Sequence, residues 1–313
     1  MVWSASWTFG YFVCHFNIFN FISVQKKMKI VVASGKGGVG KSMLASCFSV
    51  LFSKFKKTVA VDCDVDAPNL AIWLNEVKKE KKKIPVTTSA RPIIDYEKCN
   101  GCGLCEEKCR FSAIKVIDKK PKLNPFLCEG CGVCEIVCPK RAIKLRSVQN
   151  GEIKIKKTKY GFFLISGNLF PGETGSGKII TELKKEADKF DAKVQILDSS
   201  PGTGCPVIAS LQDSDLALLV TEPTSSAFSD LKRVLVLIKY FGVPYFVVIN
   251  KWDINLKMTD RMEKWAKKRL LGKISYNKGI FKAISNLKPI LETNLEAKKE
   301  ITKIFNKLKA KLW

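Results

Sequence analysis

The chain has 313 residues, 46% of them apolar, which is enough for a substantial core in about two domains and excludes a disordered or fibrous protein. A formal charge of +25 would suit nucleic acid, an anionic surface or an acidic protein, but only seven of the 54 basic residues are arginine, so the excess offers little planar, bidentate readout. No aromatic-interleaved binding module accompanies it, and no specific nucleic-acid partner is expected.

Residues 1–27 form a hydrophobic extension. Trp3 to Val24 is broken by His15, Asn17 and Asn20 and has no preceding positive charge, so it suits neither a signal peptide nor a spanning helix. Met28 opens directly into an apolar strand and is the expected start, with an interfacial anchor as the alternative.

From Met28, strand-length apolar runs alternate with amphipathic stretches of helical length. Strands are expected over 30–33, 58–62, 162–166, 194–197, 216–221 and 245–250, and helices over 41–55, 177–190, 226–241, 259–269 and from 295 to the end. This rhythm predicts an α/β fold, a doubly wound and mostly parallel sheet, split into parts 28–90 and 149–313. Lys78 to Lys83 reads as a solvated connector.

Ser34-Gly35-Lys36-Gly37-Gly38-Val39-Gly40-Lys41-Ser42 lies between the first strand and the first helix. Such a turn presents the N–H groups of Gly37, Gly38, Val39 and Gly40 to phosphates; Lys41 neutralises the β- and γ-phosphates, and the Ser42 hydroxyl ligates Mg²⁺. Gly172 to Lys178 repeats part of that pattern, but Ile179 replaces the hydroxyl residue, and the stretch reads as a loop and helix start. The loop with the extra Lys36 resembles the deviant phosphate-binding loop of the MinD/Mrp/ParA family. That resemblance implies P-loop ATPase chemistry and a nucleotide-sandwich homodimer, or a heterodimer with a paralogue, in which Lys36 reaches the partner's nucleotide.

Two further segments are similar to the family's switches. In Val61 to Asn69, Asp64 would orient the attacking water, with Asp62 and Asp66 near the magnesium shell. In Ile196 to Gly204, Asp198 would sit in that shell. Val248 to Asp253 resembles the base-recognition segment, with Asn250 contacting adenine; Asn-Lys-x-Asp also reads guanine, and the deviant loop favours ATP.

Between residues 91 and 148 two cysteine runs repeat at a 29-residue offset: Cys99-x2-Cys102-x2-Cys105-x3-Cys109 and Cys128-x2-Cys131-x2-Cys134-x3-Cys138-Pro139. Four thiolates so spaced suit a [4Fe–4S] cube rather than zinc, which favours two separated pairs. Gly103 and Gly132 let backbone wrap closely. The insert resembles a bacterial-type two-cluster ferredoxin, in which the fourth cysteine of each run serves the other cube. The resemblance implies one cluster on Cys99, Cys102, Cys105 and Cys138 and another on Cys128, Cys131, Cys134 and Cys109. Arg110 stands where the second run has Pro139, which puts the first run's turn in question.

Cys205 lies seven residues after Asp198, similar to a cluster ligand of the nitrogenase iron protein, but the second ligand of that family and the late Cys-x-x-Cys of Mrp-type carriers are missing. Packing is the favoured reading for Cys205, as for Cys14, Cys47 and Cys63. Ile301, Ile304, Phe305, Leu308, Leu312 and Trp313 make an apolar stripe that packs on the sheet in preference to tethering a membrane.

These readings predict an iron–sulfur ATPase of a reducing cytoplasm, holding ATP, Mg²⁺ and two [4Fe–4S] clusters and serving a redox or metallocofactor-assembly partner. Coupling of hydrolysis to cluster or metallocofactor assembly and delivery is preferred. An ATP-gated electron donor is the first alternative and a membrane-associated spatial organiser the second.

Overall fold

The computed structural model describes residues 27–76 and 82–313, so the N-terminal segment with Cys14 and most of the lysine connector lie outside the described residues. The chain begins with β1 (Met28–Ala33), α1 (Lys41–Ser53), β2 (Thr58–Cys63), α2 (Leu70–Trp73) and β3 (Lys82–Val86). A small lobe follows, made of β4 (Ser89–Ile94), α3 (Leu104–Glu107), β5 (Ile114–Ile117), β6 (Lys120–Leu123), α4 (Val133–Ile136) and β7 (Ile143–Val148). The chain returns with β8 (Gly151–Lys157), β9 (Phe163–Leu169), α5 (Ser176–Asp188), β10 (Val194–Ser199), α6 (Cys205–Leu211) and β11 (Leu216–Thr221). It closes with α7 (Ser225–Tyr240), β12 (Tyr245–Asn250), α8 (Leu256–Ala266), β13 (Leu270–Ile274), α9 (Lys278–Ser285) and α10 (Glu296–Leu312).

One nine-stranded sheet runs β13-β12-β11-β1-β10-β2-β9-β8-β3. It is parallel from β13 to β9 and antiparallel at β8 and β3. Its central strands are apolar almost throughout because helices cover both faces. On one face α1 and α10 bury Phe48, Phe52, Ile304 and Phe305. On the other, α5, α6, α7 and α8 contribute Leu183, Val207, Leu231 and Met262. The register sets Val32 opposite Asp198, and Asp198 opposite Asp62, so the loop after β1 and both acids emerge at one level of one sheet edge.

The stripe on α10 is used for packing. Phe305 meets Phe52 and Phe48 edge-on at 4.8 and 5.5 Å between ring centroids, and Trp313 lies 5.8 Å from Phe52. Among the described residues no helix is long and apolar enough to cross a membrane.

The lobe leaves and rejoins the sheet through one antiparallel ribbon, since β3 pairs with β8 and β4 with β7. Its interior is slight. Cys105, Ile114 and Ile143 are buried, with Ile94, Val116, Leu123, Cys134 and Cys138 packed around them.

Candidate functional site

The phosphate loop is built on glycine where no other residue fits. Gly40, the residue before α1, has φ +93°, and a Cβ there would lie 2.4 Å from Asn250 Nδ2. A Cβ on Gly35 would lie 2.3 Å from the backbone of Asp230 in α7. Behind the loop the Lys41 ammonium donates to Asp198 Oδ1 at 2.8 Å, both groups being buried. Burial alone would lower the Lys41 pKa; the charge and hydrogen bond of Asp198, then Asp64 and Asp62, reverse this and raise it.

Asp198 Oδ2 is buried without a hydrogen-bond partner. Asp62, fully buried, accepts from the N–H groups of Leu70 at 2.9 Å and Asp64 at 3.2 Å. Burial, and then the neighbouring charge of Asp198, push its carboxyl well above the usual carboxylate range. Ser42 Oγ is 3.5 Å from Lys41 Nζ. The orphaned Asp198 oxygen, Asp62 and Ser42 supply only hard oxygen donors, the set Mg²⁺ takes, and the positive ion would relieve the crowded acids. Asp64 is half-buried and accepts from Ser200 Oγ at 3.1 Å, while the Gly202 N–H donates to the Ser34 carbonyl at 3.0 Å. The segments after β2 and β10 therefore touch each other and the loop. Asp66 is exposed.

Lys36 lies in a cluster that sequence reasoning missed. It donates to Glu222 Oε1 at 3.3 Å, and Lys251 donates to Glu222 Oε2 at 2.8 Å and to the Gly38 carbonyl at 3.1 Å. The apolar strand β11 runs directly into Glu222, an acid at the same edge of the sheet as Asp198, so a signal was present in the sequence. Asn250, the expected adenine contact, has a structural part as well. Its Nδ2 donates to the Val39 carbonyl at 2.9 Å and so braces the loop, while its Oδ1 accepts from the N–H of the adjacent Lys251 and fixes the amide's orientation.

In the lobe, Cys99, Cys102, Cys105 and Cys138 line one pocket and Cys109, Cys128, Cys131 and Cys134 line a second. Each pocket draws three cysteines from one run and the fourth from the other. Equivalent turns close both runs: Ser112 N–H donates to the Cys109 carbonyl and Arg141 N–H to that of Cys138, with φ of +51° and +49°. Arg110 thus supports the same turn as Pro139. Backbone N–H groups also reach sulfur, from Ala113 to Cys109 at 3.3 Å and from Ala142 to Cys138 at 3.2 Å. Among the described residues no three His, Cys, Asp or Glu converge as for a single metal ion. A cube is a different fit, because each corner iron takes its own thiolate and the ligands stand apart by the width of the cluster.

Cys47 and Cys63 are buried packing residues as expected, whereas Cys205, also read as a packing residue, is instead exposed in the first turn of α6. The loop 172–175 leads into α5, where Lys178 donates to the Thr88 carbonyl at 3.3 Å and Ile179 is buried.

Fold and loop together define a phosphate-loop nucleotide-binding protein of the α/β class. Residues 30–290 match the CobQ/CobB/MinD/ParA nucleotide binding domain, and the chain belongs to that family, one of nucleotide-binding ATPases. Two uncharacterized proteins of Methanocaldococcus jannaschii are 40% identical over 90% of this chain and 96% of their own length, and 33% identical over 74% and 83%. The fold is shared with the septum site-determining protein MinD of Pyrococcus horikoshii, solved with Mg-ADP, at TM-score 0.58 and 16% identity, covering 92% of this chain and 98% of that one. The MinC:MinD cell division complex of Aquifex aeolicus includes a chain matching at TM-score 0.57 and 18% identity, over 90% and 96%.

Proposed function

We propose that the chain hydrolyses ATP as a nucleotide-dependent dimer, holds two [4Fe–4S] clusters within residues 91–148, and uses hydrolysis to gate electron delivery to a redox partner protein in a reducing cytoplasm. The observation that carries this reading is the pair of pockets, each lined by four cysteines drawn three and one from the two runs. Bound clusters would take up and release single electrons.

The nucleotide side follows from the chain's own groups. Backbone N–H groups of 37–40 orient the phosphates at the start of α1. Lys41 turns from Asp198 to the β- and γ-phosphates, and Ser42, Asp62 and Asp198 would hold Mg²⁺, which would neutralise phosphate charge. Asp64, steadied by Ser200, positions water, and Lys36 leaves Glu222 for the partner's nucleotide.

Electron delivery is favoured over cluster delivery by the size of the lobe's interior. A buried cluster of Cys105, Ile114 and Ile143, with little beyond the small Ala113 and Ala142 and two prolines buried beside it, cannot hold such a unit together by apolar burial alone, so its fold depends on groups bound at the cysteines. A cluster that supports its own container is resident rather than cargo. Iron counted in anaerobically purified protein, before and after ATP turnover with an external chelator, tests this. About eight irons per chain surviving turnover supports gated electron delivery. Iron released only during hydrolysis would show cluster delivery, and protein that takes up no iron would overturn both.

A further inference from the structure

One continuous set of contacts joins the segment after β10 to the cysteine pocket nearer the sheet. We infer that it transmits the nucleotide state from residues 200–212 to residues 126–134, and so acts on the pocket of Cys109, Cys128, Cys131 and Cys134 and not on the other. The inference rests on reading 198–204 as a nucleotide switch and the lobe as cluster-bearing.

The route starts where the Gly202 N–H meets the Ser34 carbonyl and Ser200 meets Asp64. Helix α6 follows within a few residues and is fastened to α5 at both ends. At its far end the Lys184 ammonium, drawn into the apolar layer, donates to the carbonyls of Ala209, at 3.0 Å, and Gln212. At its near end Gly177 lies against Cys205, where an added Cβ would stand 3.4 Å from both the Cys205 Cβ and its carbonyl oxygen. Movement of α6 therefore carries α5 with it.

Helix α5 grows out of the loop 172–175, and that loop grips the ribbon and the lobe. Asn150, wholly buried, donates from Nδ2 to the Thr174 carbonyl at 2.8 Å and accepts at Oδ1 from the Thr88 N–H at 2.9 Å. Glu173 Oε1 pairs with Arg91 Nη2 at 2.6 Å, with side chains only 14% and 24% exposed. Gly172, at φ +76°, lies under the Phe126 ring, where a Cβ would be 2.6 Å from Cδ1.

Phe126 is two residues from Cys128, and Gly130 is pressed on Ala90 of the ribbon, its would-be Cβ 2.3 Å from the Ala90 oxygen. The corresponding Gly101 of the other run packs instead on Lys119, in the turn between β5 and β6 inside the lobe. The two pockets are thus unequal: one abuts the ATPase, and the other stands at the lobe's far side. A physical coupling needs an element that both sites bias. Here that element is the α5–α6 pair with its leading loop.

Hydrogen–deuterium exchange on the full chain, loaded with iron and sulfide, tests this with Mg-ADP and with a non-hydrolysable ATP analogue. The expected result is a nucleotide-dependent change in 200–212, in 170–178 and in 126–134, with none in 99–105. In Phe126→Ala/Glu173→Gln the change at 200–212 persists and that at 126–134 is lost, while iron content and basal hydrolysis match the wild type. Glu173→Gln alone, which removes only the charge, keeps the test usable if the double variant loses iron, and is expected to diminish the response. A response at 126–134 that survives intact in both variants, or that is missing in the wild type while 200–212 responds, overturns the inference. No change at 200–212 would instead remove the switch reading itself.

Discussion

Glu222 bridges two lysines at the rim of the phosphate loop, Lys36 at 3.3 Å and Lys251 at 2.8 Å. Burial pushes its carboxyl up, but the hydrogen bond and charge of Lys251, then of Lys36, outweigh it and hold the pKa below the ordinary 4.5. Because the folded-state value is depressed, the stabilisation is fully present above that pH and is lost as pH falls through the lower folded value. Glu222→Gln is expected to cost about 1–2 kcal/mol near neutrality, and the difference in melting temperature from wild type should close under acid conditions. A difference unchanged at about pH 3 would show that the two lysines do not depend on the carboxylate charge.

Asp198→Asn keeps the shape but leaves Lys41 buried without its counter-charge and removes an oxygen anion from the Mg²⁺ donors. Steady-state phosphate release should fall by about 100-fold or more, in line with the loss of a preorganised charge at the reacting phosphates. Near-normal turnover would displace Asp198 from the mechanism.

Crossed ligation has a signature in iron content. Cys138→Ser and Cys105→Ser should each remove about four of about eight irons, and the double variant the same four. Cys105→Ser/Cys109→Ser should remove all of them, since these neighbours line different pockets. If instead Cys134→Ser/Cys138→Ser spared half the iron, each run would be holding its own cluster.

Phe305→Ala should destabilise the ATPase by about 3–5 kcal/mol, because the ring is buried against Phe48 and Phe52. Denaturant melts check this. A membrane tether would behave oppositely, losing vesicle binding with little change in stability.

The parallel sheet was legible because its strands are buried on both faces and read as nearly uninterrupted apolar runs, as in β11 and β12. The edge was not. In β8, Ile153 and Ile155 are buried and alternate with Lys154 and Lys156, a short period-two pattern easily taken for a charged loop. Strand β3 contains Pro85, which the edge position allows. Helices α6 and α9, at seven and eight residues, are too short for a periodic signal to stand out. Loop and switch residues were legible through spacing, whereas Glu222 and the second use of Asn250 are defined by partners more than 25 positions away.

Thr88 and Asn150, 62 positions apart in sequence, are hydrogen-bonded neighbours. The polypeptide departs from the sheet and comes back to it at one spot, so a single short turn from 88 to 150 would leave every strand of the parallel sheet in its register. In wiring terms the lobe is a plug-in: it can be gained, exchanged or dropped in one step while the nucleotide machine keeps its layout. Its socket includes the place where Arg91, Phe126 and the loop 172–175 meet.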